Sequence, residues 1–154
     1  MMKILILQVG KTKEKPYQEI EAEFLKRLKP LASVEKATIE TSNQEMENQV
    51  LSTKIAKISH KTKGEYFIVA LDCSGKAFSS EELANFLLQK RDQDSGKIAF
   101  VIGGPHGFTP PTLQQADLIL SLSKMTFTHQ MVRLFLLEQM YRAFTILAHK
   151  KYHY

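Results

Sequence analysis

The chain has 154 residues, of which 44% are hydrophobic and 24% are charged. That length and that balance are typical of one globular domain and exclude a disordered tail. Cys73 is the single cysteine, which excludes an intramolecular disulfide and fits a reducing compartment. The formal net charge of +5 favours an anionic partner, nucleic acid first.

The first apolar run, residues 4–9, predicts a buried strand that ends at Gly10. It is too short for a signal peptide, and Lys11 and Lys13 follow where a cleavage site needs small residues. No segment approaches transmembrane length. We therefore expect a cytoplasmic protein without a membrane partner.

The next elements alternate between helix and strand. Pro16 and apolar residues at helical spacing predict a helix over 16–29, before a weak strand at 34–39 and a second helix at 46–58. The continuous apolar run at 66–71 is typical of a central parallel strand, and a polar loop is predicted at 72–76. Ser79 and Glu82 have capping-box spacing and open a helix that runs to residue 90.

The last third continues the alternation. Strands are predicted at 98–102 and 118–122, with Thr109 and Pro110 opening a short helix between them. Residues 129–148 contain no glycine or proline and predict one long helix. The whole pattern predicts a single α/β domain over residues 1–154, with a mostly parallel sheet and helices on both faces.

Three predicted loops follow the carboxyl ends of strands, where open α/β sheets bind ligands. They are residues 72–76, 103–107 and 123–128. The middle loop has three glycines in five residues, which would let a ligand approach the backbone. A tight turn that needs glycine explains this pattern equally well, so the composition alone leaves both interpretations open.

Known nucleotide and metal motifs are absent from the sequence. The stretch from Gly10 to Thr12 resembles the end of a P-loop but lacks the upstream glycine, and no dinucleotide fingerprint follows the first strand. His129, His149 and His153 have no partners at metal-ligand spacing, so no metal is expected.

The long last helix is apolar around most of its axis, which favours a subunit interface. Glu138 and Arg142 are four residues apart and could pair on one face. A structural pair is the favoured interpretation for Glu138, while a functional one stays open for Arg142. Basic and aromatic residues alternate in the tail and could contact RNA, although a frayed terminus is the alternative.

Several long motifs carry a family resemblance. They are GGPxG at 103–107, LSLSxMTFxHQMxR at 120–133, EQxYRA at 138–143 and YH at 152–153. In these motifs, and in LDxxGK at 71–76 upstream, the chain resembles the RlmH family, small ribosomal RNA methyltransferases of the SPOUT class. Thr128 departs from the resemblance, since family members commonly have proline there, and so does Tyr154, where a basic residue is common.

The resemblance implies an α/β knot with a C-terminal trefoil, a homodimer, and S-adenosylmethionine as methyl donor. It also implies N3-methylation of pseudouridine 1915 in 23S rRNA, with the assembled ribosome as the expected partner. The cofactor contacts of the family correspond to one residue at the end of the 66–71 strand, one glycine and one loop. In this chain they are Leu71, Gly103, Leu122, Ser123, Lys124, Met125, Thr126 and Phe127.

Methylation at N3 requires the loss of an imide proton, so a general base or a site that stabilises the anion is needed. His153 is the candidate base, because its ordinary pKa is near neutrality. Tyr152 would orient or stack the target base, and Arg142 would stabilise negative charge on the imide oxygens. In a dimer these side chains could come from the partner subunit.

Two other functions remain open at this stage. One is a SPOUT-fold methyltransferase that acts on another rRNA or tRNA position, which only substrate mapping would distinguish. The other is a non-catalytic ribosome-binding module, which would bind RNA without binding S-adenosylmethionine. A flavodoxin-like binder is disfavoured, because no phosphate-binding loop supports it.

Overall fold

The structure, a computed structural model, describes residues 1–41 and 43–152. Within these residues it has five strands: β1 (Met2–Val9), β2 (Ala32–Ile39), β3 (Phe67–Ala77), β4 (Lys97–Ile102) and β5 (Leu118–Ser121). The same residues form five helices: α1 (Lys15–Leu28), α2 (Gln44–Ile58), α3 (Ser80–Gln93), α4 (Pro110–Gln114) and α5 (His129–Leu147). The predicted alternation of strand and helix is confirmed.

The strands form one sheet in the order β2-β1-β4-β3-β5, and every neighbouring pair is parallel. β4 is central, and its residues 98–101 have no exposed surface. A parallel strand covered on both faces has no solvent side, which explains why this run is apolar without alternation.

Helices cover both faces of the sheet, as predicted. Ile4 and Ile6 of β1 belong to the core beneath α1, α3 and α5, while Leu7 and Val9 face the second core beneath α2. The alternation along β1 is the two-residue period of an extended strand. The knot implied by the resemblance stays a prediction.

The third strand is longer than its sequence predicts. The apolar run ends at Leu71, and a polar loop was expected there, yet β3 continues to Ala77. Leu120 of β5 pairs with both Leu71 and Lys76, so the residues between them bulge out and the strand then resumes. Gly75 permits the close approach, because a Cβ atom there would lie 2.4 Å from the carbonyl oxygen of Ile119.

Helix starts follow the sequence closely. Ser79 and Glu82 form the predicted capping box, with both reciprocal hydrogen bonds at 3.0 Å. Thr128 caps α5 by accepting a hydrogen bond from the Met131 amide, so a cap is kept where the family has proline. Thr109 precedes α4 as predicted but makes no side-chain cap. No helix in the described part of the chain is long and apolar enough to cross a membrane.

Asp117 joins β5 to β3 at the amino edge of the sheet. Its carboxylate is 6% exposed and accepts hydrogen bonds from the Ile68 amide at 2.7 Å, from His60 Nε2 at 2.9 Å and from Lys61 Nζ at 3.2 Å. Burial raises the pKa of this carboxyl, but the three hydrogen bonds outweigh it, so the pKa lies below its ordinary value.

Replacing this carboxylate tests the contribution of its charge to stability. Asp117→Asn should lower the free energy of unfolding at pH 7 by about 1–3 kcal/mol, because Lys61 loses its charged partner. The pKa of Asp117 is lower in the folded chain than in the unfolded chain, where it is about 3.9. The carboxylate therefore contributes its full stabilisation above that unfolded value, and the contribution is lost as the pH falls through the folded pKa. Urea unfolding of both proteins should therefore converge below about pH 4. A difference that grows toward acid would contradict this assignment.

Candidate functional site

A cavity of about 710 Å³ opens at the carboxyl edge of β3, β4 and β5. Its walls are the end of the apolar part of β3, the glycine-rich loop after β4, the loop after β5 and the first turn of α5. The three loops chosen from the sequence thus meet at one concave site. Its size is typical of a small-molecule pocket, for which about 300–1,000 Å³ is usual.

Most of the predicted cofactor residues line this cavity. They are Leu71, Gly103, Leu122, Ser123, Met125, Thr126 and Phe127. Lys124 lies in the same loop but is exposed and is not among the lining residues. Binding by any of them stays a prediction.

The sequence analysis missed the wall that α5 contributes. His129, Gln130 and Val132 line the cavity, because α5 begins directly after the loop that follows β5. The rule that ligands bind beyond the carboxyl ends of strands predicts the loop but not the helix that follows it. The position of His129 and Gln130 directly after the predicted 123–128 loop was the available indication.

The glycine-rich loop is held in place by α2. The Asn48 side-chain oxygen accepts a hydrogen bond from the Thr109 amide at 2.9 Å, and its nitrogen donates to the carbonyl of Gly107 at 3.3 Å. Gly107 has a φ of +73°, which favours glycine. A Cβ atom on Gly104 would lie 2.7 Å from Oε2 of the buried Glu47. Backbone conformation at Gly107 and close packing at Gly104 therefore explain the two glycines even without a ligand.

Arg133 fixes the start of α5 to the end of β1. Its side chain is 1% exposed and donates hydrogen bonds to the carbonyls of Val9, at 2.8 Å, and of Gly10, and to Thr12 Oγ1 at 2.9 Å. Burial lowers the pKa of this guanidinium and the nearby carboxylate of Glu21 raises it, but arginine stays charged in proteins. The orientation of the α5 wall therefore depends on this contact.

His129 is the titratable side chain on the α5 wall. Burial lowers its pKa below the ordinary value, and the positive charges of Arg133 and Lys13 lower it further. The imidazole is therefore neutral near pH 7 and has one ring nitrogen free of a proton.

Two of the predicted catalytic residues lie together at the far end of α5. Glu138 accepts hydrogen bonds from Arg142 Nε at 3.0 Å and from the Tyr152 hydroxyl at 3.2 Å, which confirms the predicted pair of Glu138 with Arg142. The Arg142 guanidinium lies 5.0 Å from the centre of the Tyr152 ring. His153, the candidate base, lies outside the described residues.

The electrostatics of this cluster favour the charged form of Arg142 and the protonated form of Tyr152. The hydrogen bond to Glu138 raises the pKa of Arg142, and burial together with the Glu138 charge raises the pKa of Tyr152. At 1.5 Å per residue along the helix, Arg142 is about 20 Å from His129. Within one chain, Arg142 and Tyr152 therefore do not reach the cavity.

The surface of α5 is less apolar than its sequence suggests. Leu136, Leu137 and Met140 are buried within the chain, where α1 and α3 cover them, so they need no second subunit. Phe127 and Phe135 stay about 40% exposed and pack edge to face, with 5.1 Å between their ring centres. The apolar surface left for a partner is therefore beside the cavity.

No group of three or more metal-ligating side chains occurs within residues 1–41 and 43–152.

Comparison with known proteins gives two matches over the whole length. Residues 2–153 match the family model described as predicted SPOUT methyltransferase. The chain is also 44% identical, over 160 aligned positions that cover 99% of each protein, to "Ribosomal RNA large subunit methyltransferase H" of Symbiobacterium thermophilum.

A double-mutant cycle tests the packing behind the glycine-rich loop. Gly104→Ala should lower the free energy of unfolding by about 1–3 kcal/mol, because its Cβ would meet Glu47 Oε2 and Val9. In a Glu47→Ala background the same substitution should cost less, since the closest atom is gone. Urea denaturation of the four proteins measures the coupling. Strictly additive losses would show that Glu47 is not the obstacle.

Proposed function

Because the chain belongs to the SPOUT methyltransferase family, we propose that it methylates N3 of pseudouridine 1915 in 23S rRNA with S-adenosylmethionine as methyl donor. The observation that carries this proposal is the meeting of Leu71, Gly103 and the 122–127 loop at one cavity. The name of the 44% identical relative supports ribosomal RNA as the substrate class.

The cavity fits the proposed methyl donor. Its volume suits a nucleoside-sized ligand, and Leu71, Leu122 and Phe127 offer apolar surface to an adenine ring. Gly103 lines the cavity with backbone alone, and a Cβ atom there would touch the Phe108 ring at 3.4 Å. When bound, S-adenosylmethionine supplies a methyl group from its positively charged sulfur. The N3 nitrogen would take this methyl group and lose its proton, and the sulfur would become a neutral thioether.

Residues at the end of α5 and in the tail would promote the loss of the N3 proton. His153 is the proposed general base for the N3 proton. Arg142, positioned by its hydrogen bond to Glu138, would stabilise negative charge on the imide oxygens. Tyr152 keeps its proton because its pKa is raised, so it would stack on or donate to the target base rather than accept a proton.

A homodimer would bring these two halves together. Arg142 lies about 15 Å along α5 from Val132, the last α5 residue that lines the cavity. A second copy packed across α5 would overcome this separation. The exposed rings of Phe127 and Phe135 beside the cavity support an interface there. We further infer that the chain is a single domain with a C-terminal knot. We also infer that it works in the cytoplasm on the assembled ribosome.

A methyl-transfer assay tests the proposed function. Ribosomes from a strain that lacks this activity are incubated with the protein and labelled S-adenosylmethionine, and mass spectrometry locates the methyl group. We expect it at N3 of pseudouridine 1915. A methyl group on another nucleotide would show that the enzyme acts at that position instead. Ribosome binding without transfer, and without S-adenosylmethionine binding by calorimetry, would indicate a non-catalytic module.

Subunit mixing tests the composite site. Thr126→Trp should fill the cavity. The double variant His153→Ala with Tyr152→Phe should remove the groups that act on the target base. Each homodimer should lose activity at least about 100-fold, which is the usual contribution of one acid–base group. Co-expression should restore about a quarter of wild-type activity, because half the dimers are mixed and each has one intact site. No recovery in mixed dimers would place both halves in one chain.

A further inference from the structure

The segment after β1 follows an alternating pattern at the cavity mouth. Gly10, with a φ of +73°, turns the chain, and its amide donates to the carbonyl of Ile39 at 2.7 Å. Beyond it Lys11 is exposed, Thr12 is 7% exposed and Lys13 is exposed again. In extended backbone successive side chains point to opposite sides, so an inward Thr12 sends both lysines outward.

Thr12 is held from three directions. Its hydroxyl donates to Glu21 at 2.6 Å and accepts from Arg133 at 2.9 Å, and its carbonyl accepts from Gln18 Nε2 at 2.7 Å. Because α1 supplies Glu21 and Gln18 while α5 supplies Arg133, the segment is tied to both helices.

Gln130 holds the backbone of the second lysine. Its side-chain oxygen accepts hydrogen bonds from the amides of Lys13, at 3.1 Å, and Glu14, at 3.3 Å. Gln130 also lines the cavity, so the segment runs along its rim. A Cβ atom on Gly10 would lie 4.0 Å from His129 Nε2, which places the start of the segment against the same wall.

The charges of the two lysines are not used by the fold. Four other lysines make ion pairs with carboxylates: Lys36, Lys61, Lys90 and Lys97. Within residues 1–41 and 43–152, Lys11 and Lys13 have no ion pair. Two cations without a carboxylate partner among the described residues therefore flank the site, and the backbone of Lys13 is held by Gln130.

We propose that Lys11 and Lys13 bind backbone phosphates of the RNA beside the nucleotide that enters the cavity, and that Arg133 is the positioning residue for this segment. Phosphate contacts orient a nucleic acid without reading its sequence, which suits a site that must present one base. A segment ordered before binding loses less entropy on binding. The assignment rests on the proposed function, since it takes RNA as the substrate.

Paired lysine variants test the phosphate contacts. Lys11→Ala with Lys13→Ala should weaken binding to ribosomes, and the slope of log affinity against log salt should fall by about 1 per lysine. Lys54→Ala with Lys57→Ala removes the same charge from exposed positions of α2, on the opposite face of the sheet from α5, and should leave the slope unchanged. S-adenosylmethionine affinity should stay unchanged in both. Equal slopes for the two pairs would overturn the proposal.

Substitutions beneath the segment test positioning. Arg133→Lys keeps the charge but loses the forked contacts with Val9, Gly10 and Thr12, and Gln130→Ala frees the Lys13 amide. Either should weaken ribosome binding in the wild-type background and have little further effect when both lysines are already alanine. A purely structural role would instead lower binding equally in both backgrounds. Circular dichroism shows that each variant is folded.

Binding and methyl transfer are scored separately. If the wild-type protein binds ribosomes with a salt slope that depends on Lys11 and Lys13 but transfers no methyl group, the proposed function fails and the phosphate site stands. If methyl transfer occurs and the salt slope is the same with and without Lys11 and Lys13, the phosphate site is rejected and the proposed function stands.

Discussion

The buried guanidinium of Arg133 is the contact on which the arrangement of the site depends. A buried cation is costly unless it is surrounded by acceptors, and here the carbonyls of Val9 and Gly10 and the hydroxyl of Thr12 supply them. Val9 is the last residue of β1, and Gly10 and Thr12 lie just beyond it, so these hydrogen bonds fix the position of the start of α5 against the end of β1. The α5 wall of the cavity and the rim that carries Lys13 follow from that position.

The two ends of α5 present different chemistry. At its start, His129 borders the cavity with a lowered pKa and is neutral near pH 7. At its end, Glu138 binds both Arg142 and Tyr152, and burial together with the Glu138 charge raises the pKa of Tyr152. A rigid helix keeps these groups apart in one chain, so their use in a single reaction would require a second copy of the protein.

The order of elements was predictable, because it depends on local patterns that each segment carries in itself. The apolar run of β4, the capping box at Ser79 and the uninterrupted helix after Thr128 all appear where the sequence predicts them. The extension of β3 was not predictable, since residues 72–76 are polar and only their pairing with β5 makes them part of a strand. The burial of Leu136 and Leu137 was expected from the sequence, but α1 and α3 cover them rather than a second subunit. A helical pattern does not say what covers each face.

For the site, the sequence alone determined which loops would carry it. Parallel strands place their carboxyl ends at one edge, and Leu71, Gly103 and Phe127 line one cavity there. Tertiary structure alone decided that His129 and Gln130 form its fourth wall, and that Thr12 points inward so that Lys11 and Lys13 point out. The contacts of Arg133 with Thr12 and of Gln130 with Lys13 join residues more than a hundred positions apart. A local pattern contains no information about which distant partner will meet a buried charge.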